Sequence, residues 1–340
     1  MTSATSPTPA GDGPTSRKVV VICPVYEDWQ AVRLLLPRIG EALAPVAACA
    51  HVLLVNDGSA TAVPNGLIDA PPATIDEVRV LSLRRNVGHQ RALAIGLAYA
   101  EANMPCDAVV VMDADGEDDP ADVPRLLETM CATRPPSVVF AQRTRRSEGF
   151  LFTFLYRLYR SLHHLLTGIP VQVGNFSVIP RAVLDRLVVV SDLWNHYAAA
   201  VFQSRIPYTM VPTARARRLS GQSRMNFVSL VAHGLSAIAV FADRVGVRIL
   251  IASGVVLAAS LAVLGVVLVR LLFTGQPSPA WLIAGIVVAL VLTIQTAATA
   301  GLFVLQVLFA RASSTFIPTR DYPFFVHSDE SAWKRHTERV

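Results

Sequence analysis

The sequence predicts an α/β domain built on a mostly parallel sheet, followed by a C-terminal transmembrane helical hairpin. Three observations predict it. Short apolar runs alternate with helical patterns from Lys18 to about Gln142. Uncharged stretches long enough to cross a bilayer follow from Ile249 onward. Hydrophobic residues make up 52% of the 340 residues and the mean hydropathy is +0.45, too apolar for a purely soluble protein.

Residues 1–17 are rich in Ser, Thr, Pro and Gly and lack an apolar core, so they read as a disordered tail and not as a signal peptide. The folded part, residues 18–224, is then expected in the cytoplasm. Strands are expected at Val19–Cys23, Val52–Asn56, Val78–Leu83, Ala108–Met112 and Val138–Ala141, with helices at Trp29–Leu43, Gln90–Glu101 and Pro120–Met130. Strands this short and apolar, separated by helices, indicate a parallel sheet covered on both faces. Ligands bind such sheets beyond the carboxyl ends of the strands.

Phe150–Leu166 is aromatic and basic at helical spacing, which suits an interfacial helix or an ordinary core helix. Residues 225–246 hold an amphipathic juxtamembrane helix, Met225–Phe241. Ile249–Val269 carries no charge, about 31 Å of helix. A second uncharged stretch, Leu271–Ala310, is broken by the turn signal at Thr274–Pro279, giving a two-span hairpin over residues 247–310. Arg244, Arg248, Arg311 and Arg320 flank its open ends, so both ends, and residues 311–340 as a tail, are expected on the cytoplasmic side of the cell (inner) membrane. Small residues in both spans (Ala258, Ala259, Gly265, Ala297, Ala298, Gly301) permit close helix packing and a homo-oligomer.

The net charge is +5 and the pI about 9.3. The basic residues gather beside apolar, aromatic stretches, which favours a membrane surface over nucleic acid. Cys23, Cys49, Cys106 and Cys131 show no C-x-x-C spacing, which speaks against a disulfide framework or a zinc site.

Chemistry concentrates after the strands. Asp113, Asp115, Glu117, Asp118 and Asp119 place five carboxylates within seven residues behind the fourth strand. Such a cluster suits a hard divalent ion, Mg²⁺ or Mn²⁺, that also binds diphosphate oxygens. Alternatively, Asp118 or Asp119 caps the helix that begins at Pro120. Tyr26 and Asp28 follow the first strand and suit stacking on a base and holding it; Asp57 suits a base or ribose hydrogen bond. The turn at Asn86 and Gly88 opens a helix toward the same end. Arg143, Arg145 and Arg146 follow the fifth strand, and guanidinium groups suit phosphate.

Together these motifs resemble inverting family 2 glycosyltransferases of the GT-A fold, in particular the polyprenyl-phosphate branch that includes dolichyl-phosphate mannose synthase-like enzymes. The resemblance runs from Val19 to Arg224. The first-strand motif P-x-Y-N-E matches at Pro24 and Tyr26, with Glu27 in place of Asn and Asp28 in place of Glu. Val55 and Asp57 match V-x-D, and Asp113, Ala114 and Asp115 match D-x-D; Glu117 stands where many members have Gln near the metal. Arg218-Leu-Ser-Gly221-Gln-Ser223-Arg224 resembles R-x-x-G-x-S-K, with Arg224 for Lys, and Gly174–Ser177 resembles an acceptor-side G-x-F segment. The resemblance implies a nucleotide-sugar site at Pro24, Tyr26, Asp28, Val55, Asp57, Asp113, Ala114, Arg143, Arg218 and Arg224. It implies a metal at Asp113, Asp115 and Glu117, and catalytic roles for Asp115, Arg143 and Arg218. Arg145 and Arg146 are the expected acceptor-phosphate contacts.

A phosphate acceptor is ionised at neutral pH and needs no base, whereas a hydroxyl acceptor needs one, for which Asp192 or His196 is the candidate. The arginines and the membrane hairpin favour a polyprenyl phosphate. A processive synthase is disfavoured by the lack of a Q-x-x-R-W motif, and a sugar-nucleotide sensor or scaffold would not need Asp113, Asp115 and Arg218 together.

Overall fold

The computed structural model describes residues 17–46, 48–68, 72–143, 161–169, 173–221, 227–274, 279–312 and 316–335. The chain divides into two units: residues 1–146, 172–224 and 317–340 form one, and residues 147–171 with 225–316 the other.

The first unit holds one eight-stranded sheet. Its strands are β1 (Arg17–Val25), β2 (Ala48–Asn56), β3 (Ile75–Leu83), β4 (Ala108–Val111), β5 (Val138–Arg143), β6 (Ser177–Pro180), β7 (Tyr208–Thr213) and β8 (Val326–Lys334). They lie in the order β7-β5-β6-β4-β1-β2-β3-β8. The four strands β4, β1, β2 and β3 are parallel neighbours, as expected, and Pro24 of β1 stands in register with Val55 of β2. β6 runs antiparallel to both β4 and β5, and β7 runs parallel to β5.

Helices α1 (Trp29–Leu43), α2 (His89–Asn103) and α3 (Val123–Ala132) cover the sheet, with α3 entered through a 3₁₀ turn at Pro120–Asp122. α1 matches the sequence expectation because Trp29, Val32, Leu35, Leu36, Ile39 and Leu43 recur at helical spacing and all face the core. α1 and α3 bury their apolar stripes in one core with Val19, Val21, Val52 and Val110. α2 packs in the other with Val20, Ile22, Leu53 and Val55. The two faces of each strand thus serve different helices, which is why these strands read as unbroken apolar runs.

Residues 311–340 depart from the expected tail. They contain the helix Pro318–Asp321, a 3₁₀ turn at Tyr322–Phe325 and β8, which pairs antiparallel with β3. β8 carries His, Ser, Asp and Glu and is largely exposed, so its place rests on the backbone ladder, on Val326 and Trp333 packed against the two cores, and on Asp329, which accepts from Arg79 Nη1 at 2.8 Å and from Tyr99 Oη.

In the second unit, Phe227–Ala239 is helical, and two 33-residue helices span Ala242–Thr274 and Ala280–Ala312. Within them, Ala242–Arg270 and Leu282–Phe309 are long and apolar enough to cross a membrane, with 11% and 6% of their most apolar windows buried. Ser260 and Thr293 hydroxyls meet at 3.2 Å between the two helices. Of Phe150–Leu166, residues 150–160 lie outside the described residues, and 161–167 are helical. The four cysteines are free.

Candidate active site

The carboxyl ends of β1, β2 and β4 bring three loops together. After β1, Glu27 adopts a left-handed backbone (φ 57°), its amide donates to Ser59 Oγ at 2.9 Å, and its carboxylate accepts from the Thr61 amide at 3.2 Å, from the Ala60 amide and from the Thr61 hydroxyl. The residue that replaces Asn in the motif therefore ties the β1 loop to the β2 loop. Asp28, next in the chain, keeps its carboxylate for a different partner.

After β2, Asp57 is 3% exposed and accepts from the Val87 amide at 2.7 Å and the Gly88 amide at 3.0 Å. Burial raises its pKa, and the two amides oppose that rise. The adjoining Gly58 has φ +69°, and a Cβ there would overlap the backbone of Arg85 and Asn86. Asp57 thus holds the turn that starts α2. Val55 is fully buried with its Cγ2 against Gly96 of α2, Pro24 and Ala114 are buried, and Tyr26 is half exposed. Any contact from Val55 to a ligand would run through its backbone.

After β4, the acidic loop turns through Gly116 (φ +81°), where a Cβ would overlap the Leu219 side chain. Residues 215–219 lie along this loop: Ala216 N donates to Glu117 O at 3.0 Å and Leu219 N to Asp115 O at 2.9 Å. Glycine at 116 is required twice, by its backbone angle and by Leu219 seated in the notch. The docked segment delivers Arg218, whose Nη1 donates to Asp115 Oδ2 at 2.9 Å and whose Nη2 donates to Asp28 Oδ2 at 2.5 Å. Its Nε bonds Ser220 O at 3.0 Å, so the guanidinium is fixed by three partners. Arg215 pairs with Glu117 through Nε at 3.0 Å and through Nη2.

Asp113 faces His89 Nε2 at 3.2 Å. The Asn175 amide lies 3.0 Å from the same nitrogen and accepts from Gln90 Nε2 at 3.1 Å, while Gln90 Oε1 accepts the Tyr197 amide at 2.7 Å. The first turn of α2 thus joins the acidic loop to the β6 turn and to the helix Tyr197–Gln203. In the sequence, nothing local distinguishes His89, in the stretch Arg84–Gln90, from a helix-opening polar residue.

The structure brings together Asp28, Asp113, Asp115, Glu117 and Arg218. Burial, then the charge of Asp113, raises the Asp115 pKa, which the nearby Arg218 partly offsets. Among the described residues no group of three His, Cys, Asp or Glu gathers as a metal cage. Glu117, expected as a third ligand, is turned to Arg215. Asp113 and Asp115 are hard oxygen donors of the kind that would hold a divalent cation such as Mg²⁺. Arg143 is placed by its backbone at the end of β5, in register with Thr213. Arg145, Arg146 and Arg224 lie outside the described residues.

Residues 21–188 match the family described as glycosyl transferase family 2. An undecaprenyl-phosphate 4-deoxy-4-formamido-L-arabinose transferase of Erwinia tasmaniensis is 28% identical over 221 residues, 63% of this chain and 65% of that protein. An uncharacterized glycosyltransferase of Bacillus subtilis, YkcC, is 26% identical over 234 residues, 66% of this chain and 68% of that one. The matched part of the chain thus spans about two thirds of the length of these relatives. Among solved structures, glucosyl-3-phosphoglycerate synthase from Mycobacterium tuberculosis, in complex with Mn²⁺, UDP-glucose and phosphoglyceric acid, aligns with a TM-score of 0.48 at 18% identity, covering 68% of this chain and 80% of that one. The family match takes in the loops that carry Asp28, Asp57, Asp113 and Asp115 and ends before the Arg218 segment, and residues 21–188 carry a glycosyl transferase family 2 domain on a mostly parallel sheet.

Proposed function

We propose that the chain transfers a sugar, with inversion, from a nucleoside-diphosphate sugar to a polyprenyl phosphate at the cytoplasmic face of the cell membrane, using a divalent cation. The observation that carries this reading is the Arg218 clasp, which fixes a guanidinium between Asp28 and Asp115 at the sheet's carboxyl edge. A guanidinium held beside two carboxylates suited to a cation supports a diphosphate leaving group at this edge.

Asp113 and Asp115 would hold Mg²⁺ or Mn²⁺, which supplies charge neutralisation for the departing diphosphate. The protein's own groups do the rest. Arg218 orients the diphosphate and takes up charge as the bond from the anomeric carbon to the β-phosphate oxygen breaks and its electron pair leaves with the diphosphate. Leu219 and Ala216 keep that loop on the acidic turn and exclude water that would otherwise hydrolyse the donor. An acceptor phosphate oxygen attacks the opposite face of the anomeric carbon, and this single displacement inverts it. No proton needs removing from an ionised phosphate. His196 caps the helix Tyr197–Gln203, its Nδ1 accepting the Ala199 amide at 3.4 Å, a structural task that supports the phosphate acceptor over the hydroxyl.

The relatives named as undecaprenyl-phosphate transferases and the two long apolar helices support the lipid acceptor. The test incubates the full chain in detergent with a panel of labelled nucleotide sugars and undecaprenyl phosphate. A chloroform-soluble product that mild acid releases is expected; label found only in water-soluble glycan would refute the acceptor.

A further inference from the structure

A single surface of the first unit joins exposed arginines to an exposed aromatic. Phe324 is 75% exposed. Its neighbour Phe325 packs on Trp194 with ring centroids 5.0 Å apart, and the Arg91 guanidinium carbon stands 5.1 Å from the Trp194 ring centroid. Arg84 is fixed alongside: its amide donates to Phe325 O at 2.9 Å and its Nε to Val326 O at 3.0 Å. Arg84, Arg85 and Arg91 are all exposed. Among the described residues no ion pair involves Arg84, Arg85 or Arg91, and Arg85 acts on the Asp57 carboxylate only from beyond ion-pair distance.

Burial drives a Phe inward, and a solvated basic face needs no aromatic at its centre. The pairing of the two is the composition of a membrane interface, where aromatic rings sit at headgroup level and arginines meet anionic lipid. The chain itself supplies a second argument. Only residues 313–316 separate Ala312, the end of the second long apolar helix, from Ile317, where the Phe324 segment begins.

We propose that the surface formed by Arg84, Arg85, Arg91 and Phe324 docks on anionic headgroups of the bilayer, with the Phe324 ring entering the headgroup–acyl boundary. The proposal rests on the reading of the two apolar helices as a membrane hairpin. The first turn of α2 carries His89 to Asp113 and Arg91 to Trp194, so the patch and the acidic loop meet at one turn of one helix.

The test places the photoreactive amino acid p-benzoylphenylalanine at position 324 of the full chain, and as a control at Glu128, an exposed position on α3. The protein is reconstituted in nanodiscs of phosphatidylcholine with or without phosphatidylglycerol, illuminated, and analysed by intact mass. Lipid adducts are expected at 324 and not at 128, rising with phosphatidylglycerol. Arg84→Gln and Arg91→Gln should each weaken the phosphatidylglycerol dependence by about fivefold. Equal adduct yields at the two positions, or adducts to another protein chain in place of lipid, would overturn the proposal. A chain that resists carbonate extraction yet gives no adduct at 324 overturns the docking alone. A chain released by carbonate overturns the hairpin reading, and the docking with it.

Discussion

Arg218 reaches Asp115 at 2.9 Å across a loop seam held by the Leu219 amide on the Asp115 carbonyl, so one short segment both closes on the acidic turn and delivers its cation. The same guanidinium holds Asp28 at 2.5 Å. In the proposed function, donor recognition and loop position are coupled through this one side chain.

Removing that side chain separates the two roles. Arg218→Ala leaves Asp28 and Asp115 facing one another without their shared cation and should lower kcat by about a hundredfold or more. Arg218→Lys keeps the charge but cannot reach both carboxylates with a planar fork, and should recover only part of the loss. Steady-state kinetics with saturating acceptor checks this; wild-type kcat in the Ala variant would remove Arg218 from the mechanism.

Gly116→Ala meets two obstacles, a left-handed backbone and the Leu219 side chain. The backbone alone costs roughly 1–2 kcal/mol. Leu219→Ala in the same chain relieves the overlap but not the backbone strain, so the double variant should regain part of the activity while staying less stable than the parent. Thermal melts and turnover measured on the single and double variants would show it; a Gly116→Ala chain with parental activity would mean that the 215–219 segment need not close.

Asp57→Asn tests whether this residue serves the ligand or the fold. An amide accepts with one oxygen only and presents its NH₂ to the second backbone N–H, which should cost about 1–3 kcal/mol. A fall in melting temperature is expected in the absence of any nucleotide. An unchanged melt with a raised donor KM would instead give Asp57 the ligand-binding role.

The pH dependence of Asp115 has a definite sign. Burial and Asp113 raise its folded-state pKa above the ordinary carboxylate value. Such a group stabilises the fold at pH below its unfolded pKa, and that contribution is lost as pH rises through the folded pKa. Near neutral pH the ionised Asp115 therefore destabilises the cation-free protein. Asp115→Asn should melt no lower than the parent near neutral pH, with the difference narrowing as the pH falls toward about 4. A lower melt for the variant near neutral pH would show that the Arg218 pairing outweighs the burial of the charge.

Much of this was legible in the sequence, for stated reasons. β1 to β5 stand out as apolar runs because helices cover both faces, and α1 is marked by its stripe from Trp29 to Leu43. β6 has four residues and ends in Pro180, β7 alternates weakly, and β8 is polar and mostly exposed, so none carries an apolar signature. Asp28, Asp115 and Arg218 were each identified from motif position, yet sequence gives no distance between residues 28, 115 and 218. Glu27 stands where the motif has Asn, but its grip on Ala60 and Thr61 follows from a left-handed backbone that no local signal predicts. His89 was hidden because its partner Asp113 lies on another strand's loop.

The most direct test of the account is cation binding at the acidic turn. Mn²⁺ is titrated into the purified full chain with and without a nucleoside diphosphate, and bound metal is read by electron paramagnetic resonance, for the parent and for Asp115→Asn. The account predicts tight Mn²⁺ binding by the parent that the diphosphate strengthens and that the variant loses. Equal binding by both proteins, or sugar transfer by the parent that survives full chelation of divalent ions, would contradict it.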